Sequence, residues 1–316
     1  MKSCIVAVSG GVDSVVLLDM LIHDVLPNTN FATFNTQLIV AHFDHGIREE
    51  SNEDADFVKK LAKKYGLQFE LGSANLGRNA SEAVAREARY DFMRQCCKKY
   101  NTKIIITAHH QDDLIETAII NIIRGTSWRG LTSLVAQSSS HGIVINRPLL
   151  QISKNQIINY AQTNKLQWVE DATNLDTRYI RNYIRIKLLP TLMEKEPLFQ
   201  EKLLSFIHTT EHIKDEINPE LDQLLSMYNV PFNSDNQLSH SNYQLLRHKM
   251  IMLPDMVAKE LIYSILVNLD PDWHPTTKQI NRVLHFVKSA PVGKVLQVSK
   301  CLHVQVTLRV AKFKKL

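Results

Sequence analysis

Residues 9–14 read Ser-Gly-Gly-Val-Asp-Ser and separate two different apolar patterns. The run before it, Cys4–Val8, has the composition of a buried strand, and the run after it, Val15–Ile22, has that of a helix. Adjacent glycines allow a tight turn whose amides point inward, and Asp13 and Ser14 are suited to cap the helix. The stretch therefore predicts a strand, a turn and a helix, with an anion pocket at the helix N-terminus.

This turn differs from the common mononucleotide-binding loop. That loop, G-x-x-x-x-G-K-S/T, requires a lysine, and the chain has none between Ser3 and Lys59. A turn without lysine still holds phosphate through its backbone amides, but it indicates different chemistry. An ordinary strand-to-helix turn would explain the two glycines but not the polar residues around them. We therefore predict phosphate contacts from Ser9, Gly10, Gly11, Val12, Asp13 and Ser14.

Composition bounds the class of protein. The chain has 316 residues, 44% of them hydrophobic, so it is long enough for a main domain and a smaller one. Its four cysteines form no C-x-x-C pair, which is typical of reduced thiols. No apolar run approaches the ~20 residues that cross a membrane, so we expect a cytoplasmic protein without a membrane partner. The net charge of +5 is compatible with a polyanionic partner but is weak evidence for one.

Strand and helix patterns alternate along the first half of the chain. Further strands are predicted at 38–42, 68–71, 103–108 and 144–146, with helices at about 51–65, 81–99, 114–124 and 153–164. Such a series builds a doubly wound α/β fold around a mainly parallel five-stranded sheet. Ligands of such folds bind beyond the carboxyl ends of the strands.

Past Pro190 this alternation ends, and we predict three parts. These are a catalytic domain over 1–190, a helical connector and linker over 191–240, and a small α+β domain over 241–316. In the last part, helical patterns at 257–269 and 277–289 precede a hairpin at 295–298 and 304–310. Residues 291–316 contain several basic residues and no acidic one, which suits a nucleic-acid surface, although a solvated face is the usual explanation.

Polar clusters follow the predicted strands. One runs from His42 to Asp44, and another runs from His109 to Asp113. Carboxylates suit Mg²⁺ that bridges nucleotide phosphates, and Asp13 and Asp112 are the candidate ligands. Helix capping would explain one of the two neighbouring aspartates at 112 and 113 but not both. A two-metal hydrolase site would use His42, Asp44, His45, His109 and His110, but it leaves the glycine turn without a role.

Two groups of arginines supply candidate anion contacts. Arg86 and Arg89 share one helical face with Tyr90 and suit a phosphate or a carboxylate, although pairing with Glu87 explains either one equally well. A second row follows the polar segment 170–174 and indicates an RNA backbone beside an amine site. Its members, at helical spacing, are Arg178, Arg181 and Arg185.

These motifs together resemble those of the bacterial tRNA(Ile)-lysidine synthetases. The glycine turn alone resembles the wider group of N-type ATP pyrophosphatases, the PP-loop superfamily, and the Glu-Asp-Ala-Thr-Asn segment at 170–174 narrows the match. The resemblance is close over residues 5–190 and much looser from Leu198 onward, and it implies an adenine nucleotide alpha hydrolase-like fold. The segments that carry it are Ser9–Ser14, His42–Arg48, Ala85–Tyr90, Thr107–Asp113, Arg147–Leu149, Glu170–Asn174 and Arg181–Arg185.

The resemblance implies ATP-dependent ligation of free L-lysine to C2 of the wobble cytidine in a tRNA(Ile) with a CAU anticodon. Cytosine O2 would attack the α-phosphorus of ATP and release pyrophosphate, and the ε-amine of lysine would then attack C2 and expel AMP. Decoding would change from AUG to AUA. ATP and Mg²⁺ are the implied cofactors, tRNA(Ile) and L-lysine are the implied partners, and a homodimer stays open.

The resemblance also implies residue roles. The implied catalytic residues are Asp13, Asp44, His110 and Asp113, and the implied ATP contacts are residues 9–14 with His42, His110 and Arg124. Candidates for lysine or tRNA are Arg86, Arg89, Asp112, Glu170, Asp171, Asn174, Arg178, Arg181 and Arg185. A PP-loop tRNA thiolase, which normally needs catalytic cysteines or an iron–sulfur cluster, stays open as an alternative, as does, more distantly, a metal-dependent phosphoesterase.

Overall fold

The chain divides into two compact units in the computed structural model. The first unit comprises Met1–Asn121 and Ser133–Leu204, and the second comprises Ile122–Thr132 and Ser205–Leu316. The three-part division with borders at 190 and 240 stays a prediction, and the contribution of 122–132 to the second unit is not visible in the sequence pattern. The structure describes residues 2–26, 36–44, 46, 51–74, 82–140, 142–170, 176–228, 242–270, 273 and 275–315.

The first unit is a sheet with helices on both faces. Its strands are β1 (Lys2–Ala7), β2 (Thr36–Asp44), β3 (Gln68–Ser73), β4 (Ile104–Ile106), β5 (Gln137–Ser140) and β6 (Ile143–Asn146). Its helices include α1 (Val12–Ile22), α2 (Ser51–Lys64), α3 (Glu82–Lys99), α4 (Gln111–Ile123, of which 122–123 fall in the second unit), α6 (Lys154–Thr163), α7 (Ile180–Tyr183) and α8 (Leu189–Lys195), with α5 (Trp128–Leu131) in the second unit.

The sheet has the strand order β3-β2-β1-β4-β6-β5. The five predicted strands are present and pair in parallel, and β5 adds a short antiparallel edge. Its sequence, Gln-Ser-Ser-Ser, has no β-branched or aromatic residue, which is why the pattern does not predict it. The chain moves outward from β1 in one direction toward β3 and in the other through β4. The carboxyl ends of β1 and β4 therefore form the crevice in which doubly wound folds bind ligands.

Alternating residues of β1 serve the two faces of the sheet. Cys4 and Val6 pack with α1, α2 and α6 in one buried cluster. Ile5 packs with α3 residues such as Met93 and Cys96 in the other. Because both faces are covered, the central strands are continuously apolar, as a buried parallel sheet requires. This packing fixes the strand ends that present the polar loops.

The second unit holds an antiparallel sheet of order β7-β10-β9-β8. The predicted helices at 257–269 and 277–289 are confirmed, and so is the hairpin, although its strands are shorter than predicted. The predicted loop at 228–242 lies almost entirely outside the described residues. The elements from α9 onward are α9 (Phe199–Tyr228), β7 (Asn242–Leu246), α10 (Arg247–Met252), α11 (Asp255–Leu269), α12 (Thr277–Ser289), β8 (Val295–Gln297), β9 (Leu302–Val306) and β10 (Val310–Lys315).

The segment 122–132 is held inside the second unit by one buried arginine. The Arg129 guanidinium donates to Glu260 and Asn218 and lies against the rings of Trp128 and Tyr263. A charge this deeply buried is stable only with such partners. Within the described part of the chain, no helix is both long and apolar enough to span a bilayer.

Candidate functional site

The glycine turn, residues 9–14, is organised by Ser14. Its Oγ donates to the Gly11 carbonyl at 2.9 Å and accepts from the amides of Ser9 and Gly10, both at 3.2 Å. The predicted capping by Asp13 and Ser14 is wrong, because Gly11 is the N-cap of α1 and no side chain caps the helix. Two successive amides instead converge on one buried hydroxyl. The turn thus directs its backbone amides inward, which is the arrangement found in anion-binding loops.

The two glycines of the turn have different roles. Gly10 has a φ of +96°, whereas Gly11 has an extended backbone with φ −69° and ψ 160°. A Cβ at position 10 would lie 3.4 Å from Val58 Cγ2, and one at position 11 would meet only Ser9 Oγ at 3.6 Å. Only Gly10 therefore needs to be glycine for conformational reasons.

Gly10→Ala should lower the free energy of unfolding by roughly 1–2 kcal/mol, because a side chain at positive φ is strained. Gly11→Ala is the matched control and should change it by less than about 0.5 kcal/mol, since its backbone conformation is ordinary and the small loss at an N-cap offsets the gain from a stiffer unfolded chain. Urea unfolding of both variants measures the difference. Equal losses in the two variants would contradict this assignment.

Two neighbouring segments support the turn. The Val8 carbonyl accepts a hydrogen bond from Nδ1 of the buried His42 at 2.8 Å. On the other side, the Val169 amide donates to the Gly10 carbonyl at 3.0 Å, which places the exposed Glu170 beside the turn. Because the Val8 carbonyl can only accept, the proton of a neutral His42 ring lies on Nδ1, and Nε2 is left as a hydrogen-bond acceptor.

The buried side chain of His110 lies between three carboxylates. Its Nε2 is 3.5 Å from Asp113 Oδ2 and 3.7 Å from Asp13 Oδ2, and its Nδ1 is 3.9 Å from Asp112 Oδ1. The His110 amide donates to Asp113 Oδ2 at 3.0 Å, so this aspartate closes the first turn of α4. The structure therefore brings the loops after β1 and β4 together. Four of the predicted site residues form this cluster, which we call the acidic cluster: Asp13, His110, Asp112 and Asp113.

The acidic cluster also holds Lys154, which the sequence pattern does not single out. Its Nζ is 2.6 Å from Asp13 Oδ1, and its backbone amide donates to Asp112 Oδ1 at 3.0 Å. Lys154 is the first residue of α6, behind the N-cap Ser153, whose predicted capping box with Gln156 is confirmed. The strand order nevertheless indicates this position, because α6 begins after β6, and β6 is the neighbour of β4 in the sheet.

Two arginines and a further buried acid lie behind the acidic cluster. Arg185 binds Glu116 through two hydrogen bonds, at 2.6 and 3.0 Å. Arg181 and Arg185 also approach Asp113 Oδ1, at 3.5 and 3.6 Å. The sequence pattern does not single out Glu116, although it lies three residues after Asp113 on the same face of α4. Arg185 lies in a π-helical turn, Ile184–Leu188, a deviation that is frequent at functional sites.

The predicted row of arginines therefore splits in two. Arg181 and Arg185 point toward carboxylates, whereas Arg178 pairs with Asp176 at 2.6 Å and its side chain is 87% exposed. Tyr179 and Tyr183, on the same helical segment, are also exposed. Arg178 thus remains on the surface, and the other two arginines neutralise the site.

The pKa values of the two buried acids of α4, Asp113 and Glu116, are shifted in opposite directions. Burial would raise the pKa of Asp113, but electrostatic interactions with His110 and His109, its backbone hydrogen bond and Arg181 bring that pKa below its ordinary value. Burial raises the pKa of Glu116, against the opposing effect of Arg185. Asp113 is therefore the firmly ionised carboxylate of the pair.

The neighbouring His109 is held neutral. Burial lowers its pKa to about 3, against the pull of Asp113 and with help from Arg147, Arg86 and Arg89. Its Nδ1 lies 2.9 Å from Thr107 Oγ1. His109 therefore contributes no positive charge near neutral pH.

His109→Asn should reduce the acid sensitivity of the fold. The unfolded chain takes up a proton on this histidine below its ordinary pKa of 6.5, and the folded chain resists protonation until about pH 3. Stability is therefore lost as the pH falls through this window, by up to ~1.4 kcal/mol per pH unit. Urea unfolding at pH 7, 6 and 5 should show a steeper decline for the wild type than for the variant. Parallel declines would contradict the buried neutral histidine.

The predicted arginines of α3 enclose an aromatic ring. The Arg86 and Arg89 guanidinium carbons lie 4.9 and 5.8 Å from the centre of the Tyr90 ring. Glu87 pairs on the surface with another arginine, Arg94, at 2.6 Å. The shared face predicted for these residues is present.

Some of the remaining predicted residues lie outside the described part. Asp44 Oδ1 accepts from the Gly46 amide at 2.8 Å and closes the turn after β2. Arg124 is exposed and belongs to the second unit. Asp171, Asn174 and His45 lie outside the described residues. The roles proposed for these residues stay predictions.

The donor set suits one cation bridged by phosphates better than a metal held by protein alone. Asp13 Oδ1 accepts from the ammonium group of Lys154 and Asp112 Oδ1 accepts from the backbone amide of the same residue, so both carboxylates lie at the start of α6. Mg²⁺ commonly uses one or two carboxylates and completes its shell with phosphate and water. Among the described residues, no group of three or more His, Cys, Asp or Glu side chains is arranged to hold a metal ion. The described part thus gives no support to a two-metal hydrolase.

Comparison with known proteins bears on the identity of the chain. Residues 1–192 match the family model of the PP-loop domain. In solved structures, the U34-tRNA thiolase NcsA from Methanococcus maripaludis, with its 4Fe-4S cluster, superposes with a TM-score of 0.53 at 17% identity, covering 67% of this chain and 73% of that one. This likeness extends to the fold alone.

Curated relatives give a closer match. A tRNA(Ile)-lysidine synthase from Nostoc sp. is 32% identical over 281 residues, which cover 84% of this chain and 79% of that protein. Another, from Nitrosomonas europaea, is 33% identical over 289 residues, which cover 85% of this chain and 60% of that protein. The chain likewise spans 51% of the relative from Thermosipho africanus and 64% of the one from Wolbachia pipientis. From its PP-loop domain and these relatives, the chain belongs to the tRNA(Ile)-lysidine synthase family.

Proposed function

We propose that this chain ligates free L-lysine to C2 of the wobble cytidine of tRNA(Ile), using ATP and Mg²⁺ in the cytoplasm. The observation that carries the proposal is the meeting of the glycine turn with the acidic cluster at the carboxyl ends of β1 and β4. One part of this site suits phosphates, and the other suits a cation and an amine. The reaction needs both parts within one crevice.

The first step makes an adenylated base. The amides of Ser9 and Gly10 donate to Ser14 Oγ in the free site, and we expect them to donate to charge that develops on the departing pyrophosphate when ATP is bound. His110, enclosed by the acidic cluster, supplies an imidazole to a phosphate oxygen. Bound Mg²⁺, held by Asp13 and Asp112, would neutralise phosphate charge. His42 Nε2, as an acceptor, suits the amino group of adenine better than a phosphate.

The second step needs a site for lysine. Asp113 is kept ionised and suits an ammonium group, and Glu116 lies behind it on the same helix. Arg181 and Arg185 keep this pair of acids from repelling one another. Arg86 and Arg89 are the candidates for the lysine carboxylate, and Asp44 and Glu170 are candidates for its amines. The proposal assigns no oligomeric state, so a homodimer stays open.

A surface beside the site suits single-stranded RNA. Tyr179 and Tyr183 are 45% and 47% exposed, one helical turn apart, and the exposed Arg178 precedes them. Exposed aromatic rings stack on unpaired bases, and arginine contacts the backbone. The anticodon loop of the tRNA fits this surface. In the second unit, Lys312 and Lys314 alternate with the buried Ala311 and Phe313, so one face of that sheet also suits RNA phosphates.

Sulfur transfer is the nearest alternative, and the cysteines speak against it. Burial is the main cause that raises the pKa of the Cys4 thiol to about 12 and those of Cys96 and Cys97 to about 11. A nucleophilic thiol needs a lowered pKa and access to substrate. Only Cys301 is exposed, and it lies in the second unit. Three of the four thiols are therefore inert.

The test is incubation with tRNA(Ile) bearing CAU, ATP, Mg²⁺ and radiolabelled lysine. Label should enter the tRNA, with AMP released in equal amount. A tRNA with the cytidine replaced by uridine is the control and should take up no label. A folded sample that releases no AMP and incorporates no label would contradict the proposal. After chelation of bound metal, ATP-independent phosphoester cleavage that Zn²⁺ or Mn²⁺ restores would favour the phosphoesterase.

A further inference from the structure

Lys154 occupies a position that stability alone does not explain. It is the first residue of α6, where the partial positive charge of the helix N-terminus opposes a cation. Its side chain nevertheless points into the acidic cluster, with Nζ 2.6 Å from Asp13 Oδ1. The pair is partly solvated, with side-chain exposures of 33% and 29%, and such pairs stabilise a fold only slightly.

The backbone of Lys154 is fixed, whereas its charged end has room to move. The capping box of Ser153 with Gln156 and the hydrogen bond from the Lys154 amide to Asp112 anchor its Cα. The Gln111 amide also donates to the Ile152 carbonyl at 3.0 Å, which ties this segment to the loop after β4. A lysine side chain on such an anchor delivers a mobile point charge to one place.

The glycine turn lacks the lysine by which common mononucleotide loops contact phosphates. We propose that Lys154 supplies this charge from α6: its ammonium group leaves Asp13 and binds the terminal phosphates of ATP, the part that departs as pyrophosphate. This assignment rests on the ATP-dependent step of the proposed function. Asp13 is one of the first residues of α1, directly behind the turn amides, so an ammonium at Asp13 is already beside the phosphate pocket. A shift of partner also leaves Asp13 open to the cation that accompanies ATP.

The test measures nucleotide affinity, without tRNA or lysine, for Lys154→Met, Lys154→Arg and Lys99→Met. Lys99→Met is the matched control. The Lys99 ammonium lies 2.7 Å from Glu70, close to the 2.6 Å between Lys154 and Asp13, but Lys99 is the last residue of α3 and not part of the acidic cluster. Lys154→Met should weaken ATP binding roughly ten- to hundredfold, the range of a hydrogen bond to a charged group, and should leave AMP binding unchanged. Lys154→Arg should restore most of the ATP affinity. Lys99→Met should bind both nucleotides like the wild type.

Three results would overturn the assignment. Unchanged ATP affinity in Lys154→Met would show that the lysine only pairs with Asp13, and an equal loss for ATP and AMP would show a general disturbance of the pocket. If Lys154→Arg does not recover the affinity for ATP, the positive charge at position 154 is not what binds the phosphates. The proposed function is tested separately. If ATP binding depends on Lys154 but the wild type leaves the tRNA unmodified, lysidine formation is contradicted and the phosphate contact of Lys154 is supported.

Discussion

Exchange of Asp13 for asparagine should lower ATP-dependent AMP release about a thousandfold, the upper range for loss of one preorganised electrostatic contact. Asp13 is the carboxylate that belongs to both the glycine turn and the acidic cluster, and it faces both Lys154 and His110. Asparagine keeps the shape but removes the charge that would hold Mg²⁺ against the phosphates. The free energy of unfolding should change by less than ~1 kcal/mol, because the ion pair with Lys154 is partly solvated.

Asp91→Asn is the control for this variant. Asp91 also pairs with a basic residue at 2.6 Å, but that partner is Arg94 on the surface of α3. The control should retain the AMP release of the wild type, measured under the same conditions. Comparable turnover by Asp13→Asn and the wild type would remove Asp13 from the site.

Glu116→Gln should lower the free energy of unfolding by roughly 2–3 kcal/mol, since breaking one side of a buried ion pair leaves a charge without its partner. The side chain of Glu116 is 1% exposed, and Arg185 holds both of its oxygens. Arg185 is itself 38% exposed, so water recovers part of its solvation and keeps the loss below the upper range for buried pairs.

Glu87→Gln tests the same contact distance at the surface. Glu87 binds Arg94 at 2.6 Å, the distance found between Glu116 and Arg185, but its side chain is 68% exposed. Its exchange should change stability by less than ~1 kcal/mol. Chemical denaturation of both variants compares the free energies of unfolding lost from a buried and an exposed ion pair of the same length. Losses of equal size would show that burial does not strengthen the inner pair.

The features that the sequence predicts well are local or follow from parallel-sheet geometry. The Ser9–Ser14 stretch contains its own strand, turn and helix signals, and the β1 and β4 loops meet because both strands end at the same edge. Asp13, His110, Asp112 and Asp113 could therefore be grouped before any coordinates were known. The wrong helix cap has a local cause too, since Ser14 reaches back to the turn instead of capping α1.

The features that the sequence does not predict depend on distant contacts or on burial. Lys154 reaches Asp13 across 141 positions, and no local pattern marks a lysine at the start of a helix as part of a site. Glu116 resembles a helix-surface acid in sequence, and only the packing of Arg185 shows that it is buried. The end of α9 shows the same limit, because a proline normally marks a helix end, yet this helix continues through Pro219 to Tyr228.

In the proposed reaction ATP activates the base and not lysine. A tRNA(Ile) carrying a heavy oxygen isotope at O2 of the wobble cytidine distinguishes the two, with mass spectrometry of the AMP released during lysine incorporation. Attack of that oxygen on the α-phosphorus, followed by expulsion of AMP by lysine, predicts heavy oxygen in the phosphate of AMP. AMP without the label, formed while lysine enters the tRNA, would contradict it.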